Sequence, residues 1–346
     1  MPAIRYSEMK IVIATTFTPF VKSGSTYIVN GLDQSLKQRG YDVETFHFPF
    51  SDRPDEVLQQ ATALRLIDLS QFGDRLIAIR TPSHLLKHPN KVVWLLHSDR
   101  DAHGGSDALE DEARRQALLS ADNIGLRESS RVFCNSVAAK IRMRRHSLDA
   151  EVLYPPLLRY DQFHCDGYGD YLLYFSRLTR RKRQWLAIES LRYTKTPVSL
   201  VIAGASDPDG EPYVAELRNL IHHYQLNHRV TLLPGWVPDD RKLELFAGCL
   251  AGLCFPLDDD SYGYSSLEAH ASHKAILTTT DAGGVRELIV DGLNGLVRAP
   301  DPPAIAEAMD FLYTNRPATQ QMGAAGPPRM KELGMNWDHV VERLLS

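Results

Sequence analysis

Short, continuously apolar runs recur along the chain, and helix-spaced apolar positions fill the gaps between them. The first run is Lys10-Ile11-Val12-Ile13-Ala14. A segment this short and this apolar reads as a strand covered on both faces, as in a parallel sheet. A loop follows from Thr15 to Gly24, containing Pro19 and the pair Ser23-Gly24. Ile28, Leu32 and Leu36 then fall at helical spacing, and Gly40 supplies a stop. Tyr41 to Phe46 begins a second strand. Strand, glycine-bearing loop, helix and strand within about 40 residues make a βαβ unit of the doubly wound type.

The same alternation continues. Residues 76–79, 92–96, 131–134 and 152–154 read as strands, and Tyr154-Pro155-Pro156-Leu157 as a stiff exit from a first domain. The pattern then restarts with strands at 171–175, 198–203, 230–233, 251–255 and 275–278, and with helices around 185–191 and 213–224. At 346 residues the chain is too long for one ordinary core. The predicted fold is therefore α/β, with two doubly wound Rossmann-like domains facing across a cleft, one over residues 1–165 and one over 166–346. Ligands of such sheets sit beyond the carboxyl ends of the strands.

The most telling segment is Asp260-Ser261-Tyr262-Gly263-Tyr264-Ser265-Ser266-Leu267-Glu268, followed by Asp281-Ala282-Gly283-Gly284-Val285-Arg286-Glu287. Backbone N–H groups at a helix start, with the positive end of the helix dipole, attract phosphate oxygens. Carboxylates beside such an anion site disfavour phosphate, so Asp260 and Glu268 are expected to accept bonds from sugar hydroxyls. Phosphate and sugar together suggest a nucleotide-sugar site.

A second segment, Ser176-Arg177-Leu178-Thr179-Arg180-Arg181-Lys182-Arg183, leaves an apolar strand at its carboxyl edge. Arg177 and Lys182, five positions apart, could clamp two phosphates. Arg180, Arg181 and Arg183 read instead as a solvated basic surface. His97 follows the strand 92–96 and points to the same architectural edge of the first domain. Ser23-Gly24 is no dinucleotide fingerprint, and offers only close backbone approach at Gly24. Gly235-Trp236-Val237 follows a strand, with Trp236 either a buried anchor or a platform for a nucleobase.

Asp258-Asp259-Asp260 could hold a divalent cation on a diphosphate. Arg177, Lys182 and the helix start already supply positive charge there, so no metal is expected. Asp207-Pro208-Asp209 reads as turn chemistry. The basic helix with Lys140, Arg142, Arg144 and Arg145 is read as a solvated face in preference to a lipid-binding one. Peripheral contact at the inner face of a membrane is the alternative.

The net charge of −4 argues against a general nucleic-acid binder. Cys134, Cys165, Cys249 and Cys254 show no CxxC spacing and suit reduced thiols in a cytoplasmic protein. No stretch reaches the roughly 18 apolar residues of a spanning helix, and Met1 to Glu8 lacks the apolar centre of a secretion signal.

In this order the pieces resemble a GT-B fold glycosyltransferase of the large retaining family 4. The carboxylate-x7-Glu motif, the Arg-Leu-x-x-x-Lys loop and the Gly-Gly-x-x-Glu turn carry the resemblance most strongly between Tyr171 and Val297. The resemblance implies that Arg177 and Lys182 bind the donor diphosphate, joined by backbone N–H groups around Gly263, Tyr264, Ser265 and Ser266. It implies that Glu268 holds the ribose, Asp260 the donor sugar, and His97 the sugar from the other domain, with Trp236 and Val237 passing the nucleobase. The last helix would return to the N-terminal domain.

The implied activity is transfer of a hexosyl group, from GDP-mannose or a UDP-hexose, to a sugar, lipid-linked or small-molecule acceptor without a metal or other cofactor. Three departures stand out. Asp260 replaces the usual Glu, Ser23 replaces the first Gly of the usual pair, and His273 and Ala275 stand where Gly and Pro are common. A nucleotide-sugar epimerase or hydrolase and a catalytically silent GT-B subunit that binds nucleotide or supports a partner enzyme are the competing readings.

Overall fold

The computed structural model describes residues 9–18, 24–51, 53–96, 110–145, 147–206, 210–257 and 263–346. Two compact units divide the chain, one from residues 1–158 with 334–346 and the other from 159–333. The crossing between them comes directly after Pro155 and Pro156.

In the first unit the chain runs β1 (Lys10–Phe17), α1 (Gly24–Gln38), β2 (Asp42–Pro49), α2 (Pro54–Leu66), β3 (Arg75–Ile79), β4 (Lys91–Leu95), α3 (Glu110–Arg127), β5 (Arg131–Cys134), α4 (Val137–Arg145) and β6 (Glu151–Val152). Its sheet has the order β2-β1-β3-β4-β5-β6 with parallel pairings throughout. Ile11, Val12, Ile13 and Ala14 are fully buried, as covered central strands require. The strand reaches Phe17, three residues past the expected stop at Ala14, because Thr15 and Thr16 continue the pairing with His47 and Phe48. Threonine's β-branch suits the pleat, and both residues are buried.

The second unit contains β7 (Tyr171–Phe175), α5 (Gln184–Leu191), β8 (Ser199–Gly204), α6 (Glu211–His223), β9 (Val230–Pro234), α7 (Asp239–Gly248), β10 (Ala251–Cys254), α8 (Tyr264–Ala271), β11 (Ala275–Thr279), α9 (Val285–Leu288), β12 (Gly295–Arg298), α10 (Pro302–Thr314), α11 (Arg316–Ala324) and α12 (Gly326–Glu332). Its parallel sheet has the order β12-β11-β10-β7-β8-β9. Leu172, Leu200, Ile202, Leu253, Ala275 and Leu277 lie in the core between sheet and helices. The chain builds outward from β7 through β9, then returns to the other side of β7 with β10. The strand order therefore reverses between β7 and β10, and the loops leaving those two strands border the crevice where such sheets take ligand.

The last helix, α13 (Trp337–Leu345), belongs to the first unit although it follows the second in sequence. Gly31 on α1 makes room for it, since a Cβ there would come within 2.2 Å of the Trp337 ring. Arg39 pairs with Asp338, and the Arg75 Nη1 group donates to the Leu344 carbonyl at 2.8 Å. Asn336 caps the helix by accepting from the His339 N–H at 2.8 Å. Among the described residues no helix is long and apolar enough to cross a membrane.

Candidate active site

The loop after β7 is held from three directions. Gln184, fully buried at the start of α5, donates through its Nε2 to Ser176 Oγ at 2.8 Å and to the Arg177 carbonyl at 2.7 Å. Its Oε1 accepts from the Tyr213 hydroxyl at 2.9 Å. The Tyr174 hydroxyl donates to the Lys182 carbonyl and accepts from the Phe255 N–H, the latter at 2.9 Å. Gly204, at the end of β8, has φ +145°, and a Cβ there would stand 2.0 Å from the Ser176 carbonyl oxygen. Only glycine lets β8 end so close to this loop.

Arg183 corrects the reading of that residue as part of a solvated basic surface. Its side chain is 9% exposed and makes a bidentate pair with Asp281 at 2.7 Å on both arms. It donates further to the carbonyls of Phe255 (2.7 Å) and Pro256 (3.0 Å) and to Thr279 Oγ1 (2.9 Å). The physical reason is backbone handedness: at φ 57° Arg183 is left-handed, ending a 3₁₀ turn over Arg180–Lys182. Its side chain takes bonds inside the protein while Arg180 and Arg181 keep to the surface. Arg180 remains outside, stacked over Tyr213 and paired with Glu216, and Arg181 is exposed. The Arg183 pair ties the ends of β10 and β11 to the loop that carries Lys182. It also holds the Asp281 carboxyl below its ordinary pKa, chiefly through hydrogen bonding.

Arg177 is exposed and Lys182 half-buried. Burial pushes the Lys182 ammonium down to about 8, and the neighbouring guanidinium groups of Arg177 and Arg181 add to the fall. The Cys254 thiol at the tip of β10 acts on Lys182 in the opposite direction, against the fall. Gly263 packs on that same thiol, where a Cβ would stand 2.9 Å from the sulfur. The chain thus brings Arg177, Lys182 and the start of α8 to the reversal point between β7 and β10.

Gly263 begins α8 in an extended conformation, and as the N-cap residue it has no side chain to bond the first N–H groups. Its first N–H groups are therefore suited to an anion. Tyr264 and Ser265 are half-buried in this first turn, and Ser266 is fully buried. The Ser266 hydroxyl has no hydrogen-bond partner among the described residues. One turn deeper, Glu268 is 8% exposed and its Oε1 accepts from Lys242 Nζ at 2.9 Å. Burial raises the Glu268 pKa, against the pull of Lys242.

Trp236 is 59% exposed, which removes the buried-anchor alternative. It is joined to the same edge through Gly235, at φ 117°, whose N–H donates to the Gly204 carbonyl at 3.0 Å. Val237 is half-buried and leads into α7, the helix that carries Lys242. Gly24 opens α1 in the first unit. His97, Asp260, Ser23, the rest of the acidic triplet and Asp207-Pro208-Asp209 lie outside the described residues. Among the described residues no cluster of three metal-ligating side chains occurs.

Sequence reasoning missed Gln184, Asp281 as the partner of Arg183, and Lys242. Gln184 carries no local signal, because its work is to bond a carbonyl seven positions back. Lys242 sits in an ordinary charged run, Asp239-Asp240-Arg241-Lys242, and only the fold reveals Glu268 beside it. His273 takes the left-handed position after α8 (φ 54°), where glycine is usual, so that departure is a matter of helix termination.

Residues 166–329 match the family described as glycosyl transferases group 1. The alpha-maltose-1-phosphate synthase of Mycolicibacterium smegmatis is 24% identical over 262 residues, covering 70% of this chain and 67% of the relative. Among solved structures, HepE from Anabaena in complex with UDP and glucose superposes with a TM-score of 0.73 at 18% identity, covering 97% of this chain and 99% of that one. Sucrose-phosphate synthase from Thermosynechococcus elongatus gives 0.75 at 17% identity, with 96% and 97% covered. The architecture is GT-B.

Proposed function

We propose that the chain is a glycosyltransferase that moves a hexosyl group from a nucleoside diphosphate sugar to an acceptor hydroxyl and retains the anomeric configuration. The observation that carries this reading is that the loop bearing Arg177 and Lys182 and the loop opening α8 leave adjacent strands, β7 and β10, at one edge of the sheet, with Glu268 one turn into the helix. The match to glycosyl transferases group 1 over the second unit supports the reaction class. In this reading the Arg177 guanidinium and the Lys182 ammonium neutralise the diphosphate as it leaves, where charge develops during the reaction. Backbone N–H groups and the Ser266 hydroxyl complete the anion site, and Glu268 accepts the ribose hydroxyls. Trp236 offers a face to the base. Asp260 would hold the donor sugar and His97 would contact it.

The reacting acceptor oxygen would approach the anomeric carbon from the face the phosphate leaves. The bond from that carbon to the phosphate oxygen breaks as the new glycosidic bond forms, and the departing oxygen takes the acceptor's proton. No protein nucleophile is needed. A UDP-hexose is the favoured donor over GDP-mannose, supported by the UDP bound in the HepE neighbour. No metal or cofactor is required in this scheme.

Calorimetry with UDP, GDP and ADP, followed by product analysis with the matching sugar donors, tests the reading. Arg177→Ala and Lys182→Ala should weaken nucleotide binding at least tenfold with the fold intact. Tight nucleotide binding with no donor consumed by any acceptor would favour a silent subunit, and no binding to any of the three would refute the site.

A further inference from the structure

A buried carboxylate accepts two hydroxyl groups well only while it is ionised, and burial works against ionisation. Glu268 faces this conflict directly, being 8% exposed in α8. Among the described residues one cation bonds it. Lys242, from the first turns of α7, donates to Oε1 at 2.9 Å, and no described residue bonds Oε2.

The other charged and titratable groups around the pair do not serve the same end. Asp239, on α7, lies 3.9 Å from the Lys242 ammonium and repels the Glu268 charge. Arg159 pairs with the other oxygen of Asp239, at 3.2 Å. Tyr264, on the same helix as Glu268, has its hydroxyl pKa raised by burial and by the Glu268 carboxylate. The Phe163 ring, 5.7 Å from the Lys242 ammonium, covers the cation without supplying a charge.

A purely structural role explains this arrangement poorly. A pair taken out of water is often no more stabilising than apolar side chains of the same volume. Two residues before Glu268 on the same helix, the Ser266 hydroxyl is also buried without a partner among the described residues. Two polar groups kept at such cost on one helix end suit a ligand.

We propose that Lys242 is a positioning residue of the nucleotide site, holding Glu268 ionised and in one orientation so that the ribose hydroxyls meet a charged acceptor. The inference rests on reading Glu268 as the ribose contact. Without Lys242, burial and Asp239 act on the carboxyl group unopposed, and it takes up a proton at higher pH. Nucleotide affinity then fails from the acid side, by up to about tenfold for each pH unit below the new pKa.

The test uses the full chain and whichever of UDP, GDP or ADP binds most tightly, titrated by calorimetry from about pH 8.5 down to about pH 5.5. Lys242→Met should lose a few-fold in affinity at the alkaline end and more than about tenfold at the acid end, while Lys242→Arg follows the wild type. Lys242→Gln replaces the methionine variant if that one fails to fold. With the matching 2′,3′-dideoxynucleoside diphosphate the variants and the wild type should bind alike. A loss that is constant with pH, or that persists with the dideoxy ligand, overturns the inference. Glu268→Gln separates the two levels. Undiminished ribonucleotide binding there refutes the ribose reading itself, whereas weakened binding beside a pH-independent Lys242→Met refutes only the role of Lys242.

Discussion

Arg183 lets backbone strain and side-chain bonding be measured at one position. Its φ of 57° costs a non-glycine residue about 1–2 kcal/mol relative to the right-handed form. Against this stand the bidentate pair with Asp281 and three further bonds to Phe255, Pro256 and Thr279. Arg183→Ala keeps the strain and removes every bond. Breaking one partner of a buried pair costs about 3–5 kcal/mol. The Asp281 side chain is 35% exposed and regains water, which places the loss near about 3 kcal/mol.

Arg183→Gly loses the same bonds but relieves the strain. After the extra freedom of unfolded glycine is charged against it, this variant should be the more stable of the two by about 0.5–1 kcal/mol. Native-state hydrogen exchange, read on amides of β7 and β10, reports the stability of the second unit separately from the first. An Arg183→Ala variant within about 1 kcal/mol of wild type, or a glycine variant less stable than the alanine one, would refute the reasoning.

Further outcomes follow from the same geometry. Ser266→Ala should leave stability unchanged or raise it by about 1 kcal/mol, since the hydroxyl is buried without a bond among the described residues, while weakening nucleotide binding about tenfold. Thermal unfolding and calorimetry on one sample check both halves, and a destabilised variant with normal affinity would contradict them. Lys182 has a folded pKa of about 8, below its ordinary value of 10.5, so the folded chain binds fewer protons between those two limits. Its contribution to stability should therefore improve as pH rises from about 8 and be least favourable below it. Bound diphosphate favours the charged ammonium, so affinity should fall as pH climbs past about 8, and Lys182→Met should abolish that alkaline limb. A wild-type affinity that stays flat across this range would sink the assignment.

Central strands such as β1, β4 and β11 were legible because they are short runs buried on both faces, and β7 and β5 fall where the runs do, at Tyr171–Phe175 and Arg131–Cys134. Arg177 and Lys182 could be singled out because the residues following a parallel strand occupy its carboxyl edge by topology alone. Arg183 could not, since residue type says nothing about a left-handed turn or about an Asp281 lying 98 positions away. Lys242 and Glu268 are 26 positions apart on different helices, so their pairing is a property of packing. Trp236 had two readings open in sequence, and its exposure closes one of them.

The docking of α13 has a consequence for synthesis. Trp337 seats against Gly31, and Arg75 and Arg131 both reach carbonyls of the closing segment. During translation the opening βαβ layers emerge early, yet the piece that finishes them is made after the whole second unit. Until residues 334–346 are made, the amino-terminal layers lack the helix that covers one flank. Ending the gene at residue 333 would therefore injure the part of the protein farthest from the cut in sequence, and leave the second unit whole.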